Sequence, residues 1–417
     1  MQVNKIWDSL HFDLIKLLAP EKYLYAGHPN YHWFFGRDSS ISALQTLPFL
    51  PEIAKATLYM QAKYQAKGYD KLSEAEPGKC AHEHRLSQEK IAQLPNLKFP
   101  YYGSVDSTSW FLILLKEYIQ ITHDIHLLYD LWENAALAVR WHLDNANSNP
   151  FGFITYERKT DYGLFHQGWK DSFEDHLKIE PPVAIVEEQG YAYLALKSYC
   201  SLQNNLAIKL PYLNEARNLA ERIKQNFVQK FWMPEERFFA LALDGKGNQR
   251  KAITSNPGHL LMCGDFLEEK YAWAIVNRLF QKDMWTIGGI RSHSEKEPDF
   301  DPFSYHLGSI WPHDNWIIWK GMLNWSFKKR AWKIKSALFR AYRTLGHIPE
   351  CYAVVTKFTV GPFRYQCILK IKKIIQLERH NKIMGTHLED VAANPLQAWS
   401  IGALLSMLFY YHYKEVK

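Results

Sequence analysis

The sequence predicts an all-α fold, an (α/α)6 barrel of six helical hairpins with small β-hairpins on its loops. Three observations lead there. Apolar residues recur at helical spacing in twelve segments, and few stretches read as strands. Ten of these segments fall into close pairs, as antiparallel helical hairpins do, and the first and last are left to pair by closing a ring. The long, chemically rich connections all precede the first helix of a pair, which places them together on one face.

The first segment, 4–18, lies in "MQVNKIWDSLHFDLIKLLAP". Asp8 and Asp13 interrupt its apolar stretch, so it reads as an amphipathic helix rather than a signal peptide. "FFGRDSS" leads into 38–47, whose partner is 52–67. "FPYYGSVDSTSW" opens the pair 107–122 and 125–146. "QGWKDSFED" and "VEEQGY" precede 188–204, followed by 211–231. "SNPGHL" begins the pair 256–262 and 265–281. "YHLGSIWPHDN" opens 312–322 and 327–345, and "NPLQAW" opens 395–414. First helices begin near 38, 107, 188, 256, 312 and 395, a spacing too irregular for a fixed-period repeat array. "FGFITY" from Phe151 and "RFFALAL" from Arg237 read as small hairpins on loops.

All 417 residues are expected to form one catalytic domain, 1–417. No apolar run reaches the ~18 residues that span a bilayer, so no membrane partner is expected. Five scattered cysteines point to free thiols in a reducing cytoplasm. The net charge is +7, with basic runs at Phe327 and Leu369, and no nucleic-acid motif accompanies them. In the first run Phe327, Ala331, Ile334, Leu338 and Tyr342 keep helical spacing, so its lysines form a solvated face. Aromatic residues make up 15% of the chain, a surplus that suits ligands with apolar faces and polar rims, as sugars have.

Arg37 and Asp38 stand at a helix start. Asp is favoured there as a cap, and the same pair can grip sugar hydroxyls, one donating and one accepting. In "HQGWKDSFEDH", Asp171, Glu174 and Asp175 follow Trp169. A Trp beside a carboxyl excludes water and raises its pKa, which suits a general acid; a first helical turn also favours acids. In "GHIPECY", Glu350 follows a proline beyond a helix end, where it can project into a cleft or simply sit in a solvated loop. "KCAHEHR" holds Cys80, His82, Glu83 and His84, and no further group completes a metal ligand set. Two separated acids among aromatic and hydroxyl-binding groups point to glycoside hydrolysis.

The motifs "YAGHPNYHWFFGRDSSIS", "HEHR", "YYGSVDSTSWF", "QGWKDS", "VEEQGYAY", "SNPGHLL", "GGIRSHS", "YHLGSIWPHDN", "IPE" and "NPLQAWSIGALL" run from about Tyr25 to Leu405. In type and order they resemble the amylo-α-1,6-glucosidase domain of glycogen debranching enzymes, distant relatives of glucoamylases and trehalases. The resemblance implies a six-hairpin barrel and an inverting, exo-acting α-glucosidase without a cofactor or metal. It implies Asp171 as general acid and Glu350 as general base. Arg37 and Asp38 would grip the terminal sugar, and Trp311 would form a pocket wall. The remaining expected substrate contacts are Tyr102, Asp106, Trp169, Glu188, Gln189, His306, Asp314, Gln397 and Trp399. The expected partner is an oligosaccharide or α-glucoside. A small α-glucoside or trehalose-like disaccharide is the alternative substrate, and a non-catalytic carbohydrate-binding barrel the alternative role. His84 stands where the family usually has an apolar residue. Residues 354–386 match nothing in the family's pattern and read as an atypical segment or insertion.

Overall fold

The computed structural model describes residues 2–375, 387–391 and 393–414. Two kinds of helix build it. In the helix Leu213–Phe231 the buried positions, among them Leu213, Ala216, Leu219, Ile223, Phe227 and Phe231, form one stripe, as on any helix with one face to water. In the helix Gly36–Thr46 every residue but Leu44 is buried, polar ones included. Such a helix must be surrounded on all sides.

The surround is a closed ring. Gly36–Thr46 touches Ser107–Thr122, which touches Val186–Leu202. The ring continues through Asn256–Met262, Pro312–Asn324 and Ala398–Phe409, and the last returns to Gly36–Thr46. Outside it lie Pro51–Lys63, Ile125–Asn147, Leu213–Phe231, Glu269–Leu279 and Lys328–Leu345. Gln2–Ile15 packs on Ala398–Phe409 and completes the sixth hairpin. This is the expected (α/α)6 barrel. No described helix is long and apolar enough to cross a membrane.

Short strands tie the loops together at the mouth. Phe34–Phe35 pairs antiparallel with Glu83–His84, and Gly27–His28 with Leu396–Gln397. Tyr352–Val355 pairs with His387–Asp390. Gly346, at φ 84°, ends the helix Lys328–Leu345 in the left-handed conformation that glycine tolerates best, and its N–H bonds Tyr342 O at 2.9 Å. The chain then turns inward towards Glu350.

Three expectations change. Residues 256–262 form a 3-10 helix, opened by Pro257. "FGFITY" makes no hairpin of its own; Tyr156 bridges to Val183. The segment 354–386 is not wholly an insertion, because Val354 and Val355 are buried in the strand Tyr352–Val355. Beyond Thr356 it continues as the helix Lys357–Val360, with no buried residue, and the helix Pro362–Ile375, in which Tyr365 is buried. Its remainder, 376–386, lies outside the described residues.

Candidate active site

The inner helices start at one end of the ring, and their preceding loops enclose a cavity of about 380 Å³. Arg37, Asp38, Trp169, Asp171, His306, Trp311, Glu350 and Trp399 all line it. These eight expected site residues therefore meet. The walls are stacked rings. His306 lies 5.4 Å from Trp311 at 21°, and Trp169 meets Trp311 edge-on at 5.7 Å. Behind Trp399, His313 stacks at 3.7 Å and 10°.

Glu350 is 2% exposed and held from several sides. Its Oε1 accepts from the Tyr305 hydroxyl at 2.6 Å, and its Oε2 from Asn394 N–H at 3.2 Å. Its own N–H donates to Asn394 O at 2.9 Å. Burial raises its pKa to about 7, against the lowering by Tyr305 and Asn394; the charge of Asp171 adds to the rise. Asp171 hydrogen-bonds Arg37 Nη2 and lies 4.0 Å from His82 Nε2. A quarter of its side chain faces the cavity, yet protein surrounds it closely. That burial raises its pKa to about 6, opposed by Arg37. Asp38 is pushed up to about 7, again by burial against Arg37.

The other expected substrate contacts lie behind the cavity wall. Asp106 Oδ1 accepts from Arg37 Nη1 at 3.1 Å and from Ser104 Oγ at 2.8 Å, so it positions the guanidinium. Glu188 faces its neighbouring inner helix and accepts from Ser109 Oγ at 2.7 Å. Gln189 donates to the Ile154 and Ile185 carbonyls, and Asp314 accepts from His259 at 2.7 Å. Gln397 pairs with Gly27 in the strand that closes the ring. The Tyr102 hydroxyl donates to Tyr64 O at 2.7 Å. Each is tied to the scaffold by at least one hydrogen bond or strand pair, although Asp106 Oδ2, Glu188 Oε2 and Asp314 Oδ2 are buried without a partner.

Sequence reasoning missed Tyr31, Phe35, Phe173 and Tyr305, and weighed His82 and Glu83 only as metal ligands; all six line the cavity. Each sits in or beside one of the motifs quoted above, but the motif alone gives it no role. Glu83 accepts from Trp33 Nε1 at 2.6 Å and from Arg85 Nε at 3.0 Å. His84 packs on Tyr64 at 4.2 Å, away from His82's site. Among the described residues the cluster with metal-ligand spacing is His293, Glu297 and Asp299. Its Asp299 already faces Lys178 and Arg250, both 3.7 Å away.

A larger cavity, about 580 Å³, lies across the loop that carries Asp171, with Gln167, Trp141 and Glu74 in its wall. Its deeply buried acid is already tied down: Glu74 accepts from Gln167 Nε2 at 2.7 Å and from Lys159 N–H at 3.1 Å. Glu76 likewise accepts from Trp141 Nε1 at 2.8 Å. The smaller cavity, by contrast, brings the Arg37–Asp38 pair together with Asp171 and Glu350.

A family model for the mannosylglycerate hydrolase MGH1-like glycoside hydrolase domain matches residues 205–356, a stretch that includes Trp311 and Glu350. The fold resembles the GH63 mannosylglycerate hydrolase from Thermus thermophilus in complex with glucose. That likeness has TM-score 0.67 and 13% identity over 96% of this chain and 99% of the other. The same enzyme in complex with Tris and D-glycerate gives TM-score 0.64 at 14% identity, covering 96% and 99%. A rhamnosidase from Klebsiella oxytoca with rhamnose bound gives TM-score 0.61 at 12% identity, covering 99% of this chain and 64% of that one. No curated protein matches. At these identities the likeness to solved structures is one of fold, the (α/α)6 barrel described above.

Proposed function

We propose that the chain is an inverting glycoside hydrolase that removes a terminal sugar from a small glycoside, with Asp171 as general acid and Glu350 as general base. One observation carries the reading: Asp171 and Glu350 share a single aromatic-walled cavity with Arg37 and Asp38. Asp171 would give its proton to the glycosidic oxygen. Glu350, ionised, would take a proton from the water attacking the anomeric carbon on the other face. That Tyr305 and Asn394 fix the direction of the Glu350 carboxyl supports this role.

A cavity of about 380 Å³ is at the lower end of ligand-pocket sizes and suits a glycoside of one or two rings. That supports a small substrate, as does the matched family model, whose name refers to mannosylglycerate. The debranching motifs support a second reading, cleavage of an α-1,6-linked glucose from an oligosaccharide. Incubating the protein with α-mannosides, α-glucosides, α-rhamnosides and a limit dextrin, and following the released sugar by NMR, tests both. The expected outcome is turnover of a small α-glycoside with the β-anomer appearing first. Release of the α-anomer first would exclude inversion, and glucose from limit dextrin alone would favour the second reading.

A further inference from the structure

An acid that donates a proton and a guanidinium that grips it oppose each other, because an ion-paired carboxyl gives its proton up. Arg37 grips Asp171 through Nη2 and Asp106 through Nη1. The two partners differ. Asp106 has a side chain 1% exposed and is also held by Ser104, whereas Asp171 has a side chain 26% exposed to the cavity. Arg37 Nε is buried without a hydrogen-bond acceptor, 3.9 Å from Asp38 Oδ2. The guanidinium is thus anchored on one side and exchangeable on the other.

We propose that Arg37 is a substrate-operated switch: a sugar seated on Arg37 and Asp38 draws Nη2 away from Asp171 while Asp106 keeps the guanidinium in place, and Asp171 then takes up the proton it delivers. The inference rests on the glycosidase reading above and adds to it when the acid is charged.

The groups around Asp171 make Arg37 the decisive one. His82 is neutral, its pKa driven far down by burial, and Arg85 is turned to Glu83. The carboxyls that act on Asp171 or feel its charge are Asp38, Glu83, Asp106 and Glu350. The phenols of Tyr31 and Tyr101 lie further out and also sense it. The charged carboxyls disfavour a negative Asp171, and Arg37 is the group that favours it. With Arg37 so placed, Asp171 is drawn towards its ionised form while burial holds Glu350 towards its protonated one, whereas the roles require Asp171 to keep a proton and Glu350 to have lost one. Releasing Asp171 corrects both together. It gains a proton from cavity water or from Glu350, and its lost charge no longer opposes ionisation of Glu350.

The test follows Asp171 directly. The full chain, labelled with 13C at aspartate carboxyls, is titrated by NMR alone and with saturating mannose, glucose or rhamnose; Asp171→Asn assigns the signal. The bound sugar should raise the Asp171 midpoint by about 1–3 pH units, the effect of losing an adjacent opposite charge. Arg37→Gln should show the raised midpoint without sugar and no further rise with it. Tryptophan fluorescence reports sugar binding separately. A sugar that binds while the Asp171 midpoint stays put overturns the switch and leaves the glycosidase reading standing. A folded Arg37→Gln protein with an unshifted midpoint overturns it too. If none of the three sugars binds and no glycoside is cleaved, the glycosidase reading falls and the switch falls with it.

Discussion

The Tyr305 hydroxyl donates to Glu350 Oε1 at 2.6 Å, and both side chains line the same cavity. Tyr305 belongs to the loop before the inner helix Pro312–Asn324, while Glu350 follows the outer helix of the same hairpin. The bond stabilises the ionised form of Glu350 and so opposes its raised pKa. Tyr305→Phe should therefore raise that pKa further, and the acidic limb of the pH–rate profile should move to higher pH. Activity at pH 6 should fall more than activity at pH 8. An unmoved acidic limb would mean that Glu350 is not the base.

Replacing either acid removes a proton transfer worth about 10²–10⁴-fold in rate. Asp171→Asn should slow glycosides with poor leaving groups most, because activated aryl glycosides need little protonation. Glu350→Gln should slow all of them alike. Glu188→Gln should leave turnover within a few-fold, since its carboxyl faces Ser109 behind the wall. Steady-state rates on matched alkyl and nitrophenyl glycosides check this. The acid assignment fails if Glu188→Gln is inactive and Asp171→Asn is not.

Glu350 also makes stability depend on pH. Its ordinary value is 4.5 and its folded value about 7. Between those values the unfolded chain releases a proton that the folded chain keeps, so this site's contribution is full below pH 4.5 and is lost as pH rises through 7. Glu350→Gln should be more stable than the unmodified protein by up to roughly 3 kcal/mol at pH 8, with the difference vanishing near pH 4.5. Thermal melts at both pH values test it. A difference independent of pH would show that burial does not penalise the Glu350 charge.

The unfamiliar segment divides at Thr356. Replacing 357–386 with a short Gly/Ser linker should change stability little, because closing a surface loop costs only about 0.6 kcal/mol for each doubling of its length. Replacing 354–386 should lower it clearly, since Val354 packs within the main core and Val355 is buried beside it. Melting temperatures of the two variants decide. Equal losses would place the helices Lys357–Val360 and Pro362–Ile375 in the core as well.

The ring was legible because inner helices carry long apolar runs and chemically dense entrances. The pairing of Gln2–Ile15 with Ala398–Phe409 followed from counting hairpins. At the site, Asp171 stood out for the Trp169 before it and Glu350 for its place after a proline beyond a helix end, while the roles expected of them came from the family resemblance. Glu188, Asp314 and Gln189 were expected beside them, but their partners, Ser109, His259 and Ile154, come from elsewhere in the chain. A costly buried polar residue reveals that it needs a partner, not whether that partner is a ligand or another helix. Tyr305 and Phe35 escaped for a related reason. Aromatic residues are common in cores, and only the fold shows which of them border an opening.

Asn394 binds Glu350 with its N–H and carbonyl, and exchanges side-chain bonds with the backbone of Asn30. It stands beside Gly27–His28 and Leu396–Gln397, where the last inner helix returns to the first. The seam of the ring and the mooring of Glu350 are therefore one place. During synthesis Arg37, Asp171 and Glu350 all leave the ribosome before Asn394 does, so the cavity they share would take its final form late, with closure of the seam. A protease cut in the approach to Asn394 could disarm the protein while leaving five hairpins stacked, a loss that secondary-structure spectra would barely register.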